Sequence, residues 1–280
     1  MTQKVAVITG ASTGFGLFTS LELARAGFHV IATMRNLGKR AALDEAAARE
    51  NFVSAIEIRH LDVTDFDTHS PFLDSVVRDF GSLDVLVNNA GFSMAGFAED
   101  VSLDELREQF ETNFFGVVSM SKAALPQMRR QRSGHVIQVS SVTGRFANAC
   151  VSSYSASKFA LEGWSEALRL EMNPLGIRIV LVEPGAYATD IWEKNVRIGK
   201  SAFNDSSPNK QRSLRFRDYV RAHVAKRDPR EVARLIAGIA QDPHPNLRYL
   251  VGKDARTLCI LGYLLPWKRW ERLVEKRIGL

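Results

Sequence analysis

Tyr154-Ser-Ala-Ser-Lys158 sets a phenol and an ammonium four residues apart, a spacing that puts both on one face of a helix. A phenol at its ordinary pKa of ~10 is a poor acid or base near neutrality, but a neighbouring cation stabilises phenolate and lowers that value. Lys158 can supply the cation, and Ser141, just after the apolar run from His135 to Ser140, can hydrogen-bond a substrate oxygen. The chemistry this trio suits is proton transfer at an oxygen. Taken alone, the Tyr-Lys spacing also fits an ordinary helix face.

Turns rich in Gly and Asn offer a partner for that chemistry. Thr9-Gly10-Ala-Ser-Thr13-Gly14-Phe15-Gly16 follows an apolar run and opens a helical one, so its glycines allow close backbone approach and the free N–H groups of the helix start face a pyrophosphate. Asn88-Asn89-Ala90-Gly91 follows another apolar run, although the tetrapeptide alone also fits a plain turn. Asp62-Val63 can set a carboxylate beside an adenine amine and an apolar side chain against its ring. Thr33-Met34-Arg35-Asn36 lies about 20 residues beyond the glycine turn, where an acid would meet a free ribose 2′-hydroxyl. It holds no acid; Arg35 instead offers a planar fork to a 2′-phosphate, and the Thr13 hydroxyl adds a donor.

The elements that must position these residues alternate. Val5 to Ile8, His29 to Thr33, Ala55 to Arg59, Val85 to Val87, His135 to Val139, Ile177 to Val182 and Leu247 to Val251 read as strands. Between them, Leu17 to Ala26, Asp67 to Phe80, Leu103 to Met128 and Tyr154 to Met172 read as helices, and Asp228-Pro229-Arg230-Glu231 opens another that runs to about Ala240. Strand-helix alternation predicts an α/β fold: one doubly wound parallel sheet of Rossmann type, with helices on both faces and ligands at the carboxyl ends of the strands. The chain reads as a single domain over 1–280, with a lid insertion at about 187–227 and a C-terminal extension at about 253–280.

Composition excludes several classes. Of 280 residues, 45% are hydrophobic and 24% charged, which is globular usage rather than disordered or collagenous. The net charge of +6 suits a polyanionic cofactor; the basic residues are scattered without a nucleic-acid motif, so no nucleic-acid partner is expected. Cys150 and Cys259 make neither a disulfide framework nor a metal-ligand pattern, so no metal is expected. Met1-Thr-Gln-Lys runs straight into a strand without signal-peptide regions, which points to the cytoplasm. The stretch from Cys259 to Trp267 is too short to span a bilayer and is expected to pack on the domain or across a dimer, with peripheral membrane attachment through Leu261 to Trp270 as the alternative.

With Gly10, Gly14, Gly16, Asp62, Asn88 to Gly91, Asn113, Ser141, Tyr154, Lys158, Pro184-Gly185 and Thr189 in this order, the sequence resembles the short-chain dehydrogenase/reductase family over nearly its whole length. The resemblance implies an NADP(H)-dependent oxidoreductase that interconverts a carbonyl and an alcohol. It makes Tyr154 the proton donor or acceptor, has Lys158 also bind the nicotinamide ribose, and has Ser141 polarise the carbonyl. It gives Asn113 the holding of a relay water and Thr189 the carboxamide. Phe15, Val63, Asn89, Ala90, Gly91, Pro184 and Gly185 are expected to complete the cofactor site, and a homo-oligomer built with the helices near Leu103 to Met128 and Tyr154 to Met172 is implied.

Ala32-Thr-Met-Arg35, the residues from Tyr154 to Gly163 and the extended tail are similar to the hydroxysteroid and retinol dehydrogenase branch, which implies a bulky apolar small-molecule substrate. Candidates for its pocket are Ser93, Met94, Val142, Arg145, Phe146, Ala149, Cys150, Tyr187 and Trp192, each of which also fits core or lid packing. A 3-oxoacyl-carrier-protein reductase is the competing enzyme, against which the long lid and tail argue. A catalytically silent NADP-sensing or scaffolding protein is the competing class, against which the complete tetrad argues.

Overall fold

Short runs of Val, Ile and Ala, too brief for helices and apolar on both faces, become central strands. A computed structural model describes residues 3–188, 196–223 and 227–278. In it the chain runs through β1 (Val5–Ile8), α1 (Gly14–Arg25), β2 (His29–Met34), α2 (Ala41–Arg49), β3 (Ile56–His60), α3 (His69–Phe80), β4 (Val85–Asn88) and β5 (Ser93–Ala95). It continues through α4 (Leu103–Phe110), α5 (Gly116–Gln131), β6 (Gly134–Val139), α6 (Ser152–Met172), β7 (Ile177–Pro184), β8 (Val196–Ile198), α7 (Lys210–His223), α8 (Arg230–Ile239), β9 (Arg248–Val251), α9 (Lys253–Leu264) and α10 (Trp267–Ile278). The expected strands form at the expected places, and so do the expected helices apart from the one over Leu103–Met128.

Among the described residues seven strands build one sheet in the order β3-β2-β1-β4-β6-β7-β9, with every pair parallel. Alternate residues feed opposite cores: Ala6 and Ile8 join Leu21, Leu43 and Ile236 from α1, α2 and α8, while Val5 and Val7 join Leu73, Met120 and Leu168 from α3, α5 and α6. The chain moves outward from β1 to β3 and then crosses back to β4, so the order reverses between β1 and β4. Such a switch point opens a crevice at the carboxyl ends of the strands.

Four features go beyond the sequence reading. The expected Leu103–Met128 helix is interrupted by a π-helical turn at Glu111–Phe115 that carries the buried Asn113, and π turns mark functional positions more often than ordinary helix does. The Ala-rich segment 41–49 is helical. The expected lid contains the helix α7 and the strand β8, which pairs with β5 in a separate two-stranded parallel sheet. The C-terminal extension is two helices, α9 and α10.

Candidate active site

The first turn of the crevice is a cradle built by contact. Gly10 has φ +69°, and a Cβ there would lie 2.7 Å from the Ala90 Cα; one on Gly16 would lie 2.3 Å from the Gly10 carbonyl oxygen and 2.5 Å from the Asn89 Nδ2. Only glycine fits either position. Asn89 Nδ2 donates to the carbonyls of Thr9 and Gly10, both at 2.9 Å, while the Thr9 hydroxyl accepts from the N–H groups of Asn89 and Ala90, both at 3.0 Å. The loops after β1 and β4 are thereby locked together. Thr9 was not foreseen as a positioning residue; its only signal was a hydroxyl directly before the first glycine. Asn88 points the other way, donating to Ser121 and Gln138 in the core, so of the Asn pair only Asn89 serves the crevice. At the start of α1, Thr13 makes no side-chain cap hydrogen bond, so its hydroxyl does not compete for the N–H groups of the helix start.

The strand order spreads the predicted residues along one cleft of about 430 Å³. Met34, Arg35, Asp62 and Val63, after β2 and β3, line one end; Gly10, Thr13, Gly14, Phe15 and Asn89 to Gly91 line the middle; Ser141, Tyr154, Lys158, Pro184 and Gly185 line the region of β6 and β7. Lys39 and Arg197 also line it, and sequence reasoning passed over both. The signal for Lys39 was a second cation four residues beyond Arg35. Arg35 extends its side chain to 65% exposure with its Nε 3.9 Å from Asp62 Oδ2. Burial pushes the Asp62 carboxyl up, but the N–H and hydroxyl of Thr64, at 3.0 and 2.7 Å, hold it below its ordinary value, so it stays anionic.

Tyr154 stands in the first turn of α6 and is nearly buried. Burial raises its pKa, opposed by the hydroxyls of Ser141 and Thr143. The Lys158 ammonium donates to the Val139 carbonyl at 2.8 Å and stands 5.8 Å from the Tyr154 ring centre. Burial lowers the Lys158 pKa to about 8, with Glu162 one turn further along α6 raising it. Ser141 accepts from the Thr143 N–H at 3.1 Å and its hydroxyl at 2.9 Å, which aims the loop after β6. Both ends of the Asn113 amide bond the backbone of Phe92, at 3.1 and 3.0 Å. Gln109 reaches the same carbonyl at 2.8 Å, so Asn113 clamps the Asn89 to Phe92 loop through its side chain.

The predicted substrate side divides. Tyr187 lines the cleft, where its hydroxyl donates to Glu231 at 2.9 Å. Val142 packs with Ala255 and Cys259 beneath α9, and Phe146 stacks against Tyr263 and Trp270, so neither lines the cleft. Ser93 and Met94 are buried in the small sheet, and Ala149 also lies outside the cleft lining. Cys150 adopts φ +63° and its carbonyl accepts from Gly96 at 2.8 Å; burial pushes its thiol up to about 12, which leaves it protonated and unreactive. Arg145 belongs to an ion cluster: it lies 3.3 Å from Glu183, while Arg248 lies 3.1 Å from Glu162 and 3.3 Å from Glu183. Val142 and Phe146, after Ser141, pack against the C-terminal helices rather than the crevice. Thr189 and Trp192 lie outside the described residues.

A parallel sheet whose switch point carries a glycine cradle defines the chain as a Rossmann-type α/β protein. Comparison narrows the class: a model of the short chain dehydrogenase family matches residues 4–197, and the chain belongs to that family of oxidoreductases. It is 41% identical over 280 residues to the uncharacterized oxidoreductase YusZ of Bacillus subtilis (strain 168), covering 99% of each. It is 37% identical over 255 residues to retinol dehydrogenase 8 of Bos taurus, covering 88% of this chain and 80% of that protein. A metagenomic short-chain oxidoreductase solved in complex with NADP aligns with a TM-score of 0.70 at 25% identity, over 90% of this chain and 97% of that one.

Proposed function

We propose that this chain is an NADP(H)-dependent oxidoreductase interconverting a carbonyl and an alcohol on a bulky apolar substrate. The observation that carries the reading is the single cleft that joins the Arg35 and Lys39 cations, through the glycine cradle, to Ser141, Tyr154 and Lys158. The cradle fits a dinucleotide: a Cβ would fill it, and the helix start behind it is free of a side-chain cap. Arg35 and Lys39, with no acid at the end of β2, favour a 2′-phosphate over a free ribose hydroxyl. The NADP-bound neighbour supports the cofactor, and the likeness to a retinol dehydrogenase supports the substrate class.

Bound in the cleft, the nicotinamide supplies or takes up the hydride at the substrate carbon. Tyr154 gives its phenolic proton to the carbonyl oxygen in reduction and recovers it from the hydroxyl in oxidation. Its raised pKa keeps it protonated at neutral pH, the state a general acid needs. Ser141 holds and polarises the oxygen. Lys158 has three N–H donors and spends one on Val139, which leaves two for the ribose hydroxyls and keeps a positive field beside the phenol. Asn113 acts as a positioning residue through Phe92. Leu103, Phe115, Phe159 and Leu170, exposed on the elements from α4 to α6, support pairing of two copies there.

Replacing Tyr154 with Phe keeps the ring and removes the proton, so kcat falls by ~10²–10⁴-fold while NADPH affinity, read by nucleotide fluorescence, stays near wild type. Retained turnover in this variant overturns the mechanism. A panel of aryl and steroid-sized ketones, short polar ketones and acyl thioesters tests the substrate class, which fails if the thioesters are turned over best.

A further inference from the structure

The C-terminal extension packs one side and leaves the other bare. Cys259 and Trp270 are buried, and Phe146 stacks against Trp270, which anchors α9 and α10 on the loop that follows Ser141. At the corner where α9 hands over to α10 through Pro266, Ile260 is 58%, Leu264 75% and Trp267 69% exposed. Ile260 and Leu264 share a helix face by their i, i+4 spacing. Tyr263 beside them is taken by Arg145, whose guanidinium meets its hydroxyl. Lys268, Arg269 and Arg272 follow, all exposed and with no ion-pair partner among the described residues. No acidic residue lies between Lys253-Asp254 and Glu271.

We propose that this corner is a docking surface for an anionic phospholipid bilayer. Exposed aliphatic and Trp side chains flanked by Lys and Arg match the two layers of a membrane interface, apolar acyl boundary and negative headgroups. Charge decides against the obvious competitor. A second copy related by two-fold symmetry would bring Lys268, Arg269 and Arg272 against their own equivalents, whereas anionic headgroups neutralise them. Attachment is peripheral, since among the described residues no helix is long and apolar enough to cross a membrane. The surface does not depend on which substrate the enzyme takes, although it lies on the element that covers the Ser141 loop.

The test is co-sedimentation of the full chain with vesicles of phosphatidylcholine alone and of phosphatidylcholine mixed with phosphatidylserine, without nucleotide or substrate. Binding is expected to the mixed vesicles, far weaker to the neutral ones, and released by salt. Leu264→Ser and Trp267→Ser should each weaken it roughly tenfold, and Lys268→Gln and Arg269→Gln roughly fivefold each. These side chains are exposed, so far-ultraviolet circular dichroism and the thermal unfolding midpoint should be unchanged. No sedimentation with the mixed vesicles overturns the proposal, as does binding that salt removes but Leu264→Ser and Trp267→Ser leave intact, which would be the general attraction of a basic protein. Absent vesicle binding together with a dimer that Trp267→Ser dissociates in ultracentrifugation would assign the corner to a second copy instead. Because the readout is binding rather than turnover, its failure is distinct from failure of the NADP(H) assignment.

Discussion

Two polar networks flank the cleft, and they are built on opposite plans. Beneath the glycine cradle, Thr9, Asn89 and Ala90 are joined by neutral hydrogen bonds of 2.9 to 3.0 Å between side chains and backbone. Behind the catalytic helix, Glu162 and Glu183 share the guanidinium groups of Arg145 and Arg248, and one oxygen of each carboxylate lacks a partner among the described residues. Burial and the neighbouring Glu162 raise the Glu183 pKa to about 7. Neutral networks that satisfy their members hold a backbone in one shape at any ordinary pH. An ionic cluster balanced by two partly exposed arginines is held only while each charge keeps its counterpart, and its stability follows pH.

The largest effect should come from breaking the ionic network. Arg248→Met leaves two buried carboxylates against Arg145 alone and should cost about 3 kcal/mol, the low end for a broken buried pair because Arg248 is itself 27% exposed. The Glu183 pKa lies above its unfolded value, so its contribution is complete below the ordinary carboxylate range and is lost as pH rises through about 7. The defect should therefore be greater at pH ~8 than at pH ~5 in guanidinium titrations. An equal defect at both would show that charge is not what Arg248 supplies.

Breaking the neutral network should cost less stability and no pH dependence. In Gly16→Ala the new Cβ meets the Gly10 carbonyl and the Asn89 amide, so the two loops must part, at roughly 1–3 kcal/mol. Thermal unfolding at two pH values, with NADPH affinity alongside, checks it; wild-type affinity would show that the cradle does not hold the nucleotide. The smallest effect sharpens the cofactor assignment. Arg35→Ala should weaken NADPH about tenfold, less than a buried charged hydrogen bond would give, since Arg35 is 65% exposed, and should leave NADH nearly unchanged. An unchanged ratio of kcat/KM for the two nucleotides would sink the phosphate assignment.

The neutral network was the legible one. Its residues lie within short motifs, Thr9 to Gly16 and Asn88 to Gly91, and each motif directly follows a strand, so reading the strands places the motifs at one edge. The ionic network was not legible, because Arg145, Glu162, Glu183 and Arg248 come from four separate elements and nothing in their types pairs them. Arg145 and Val142 were expected in the pocket as part of a loop that follows a strand, and α9 packs over that loop instead.

By itself the sequence determined the strand-helix alternation, the glycine turn, the Tyr154 and Lys158 pair and the absence of acid after β2, since each depends on neighbours within a few residues and on backbone sterics. Only the tertiary structure decided that Asn113 sits in a π turn and clamps Phe92, that burial raises the Tyr154 pKa, and that the corner at Trp267 stays exposed. These depend on which surfaces meet and which are left to solvent, and desolvation acts between residues far apart in the chain.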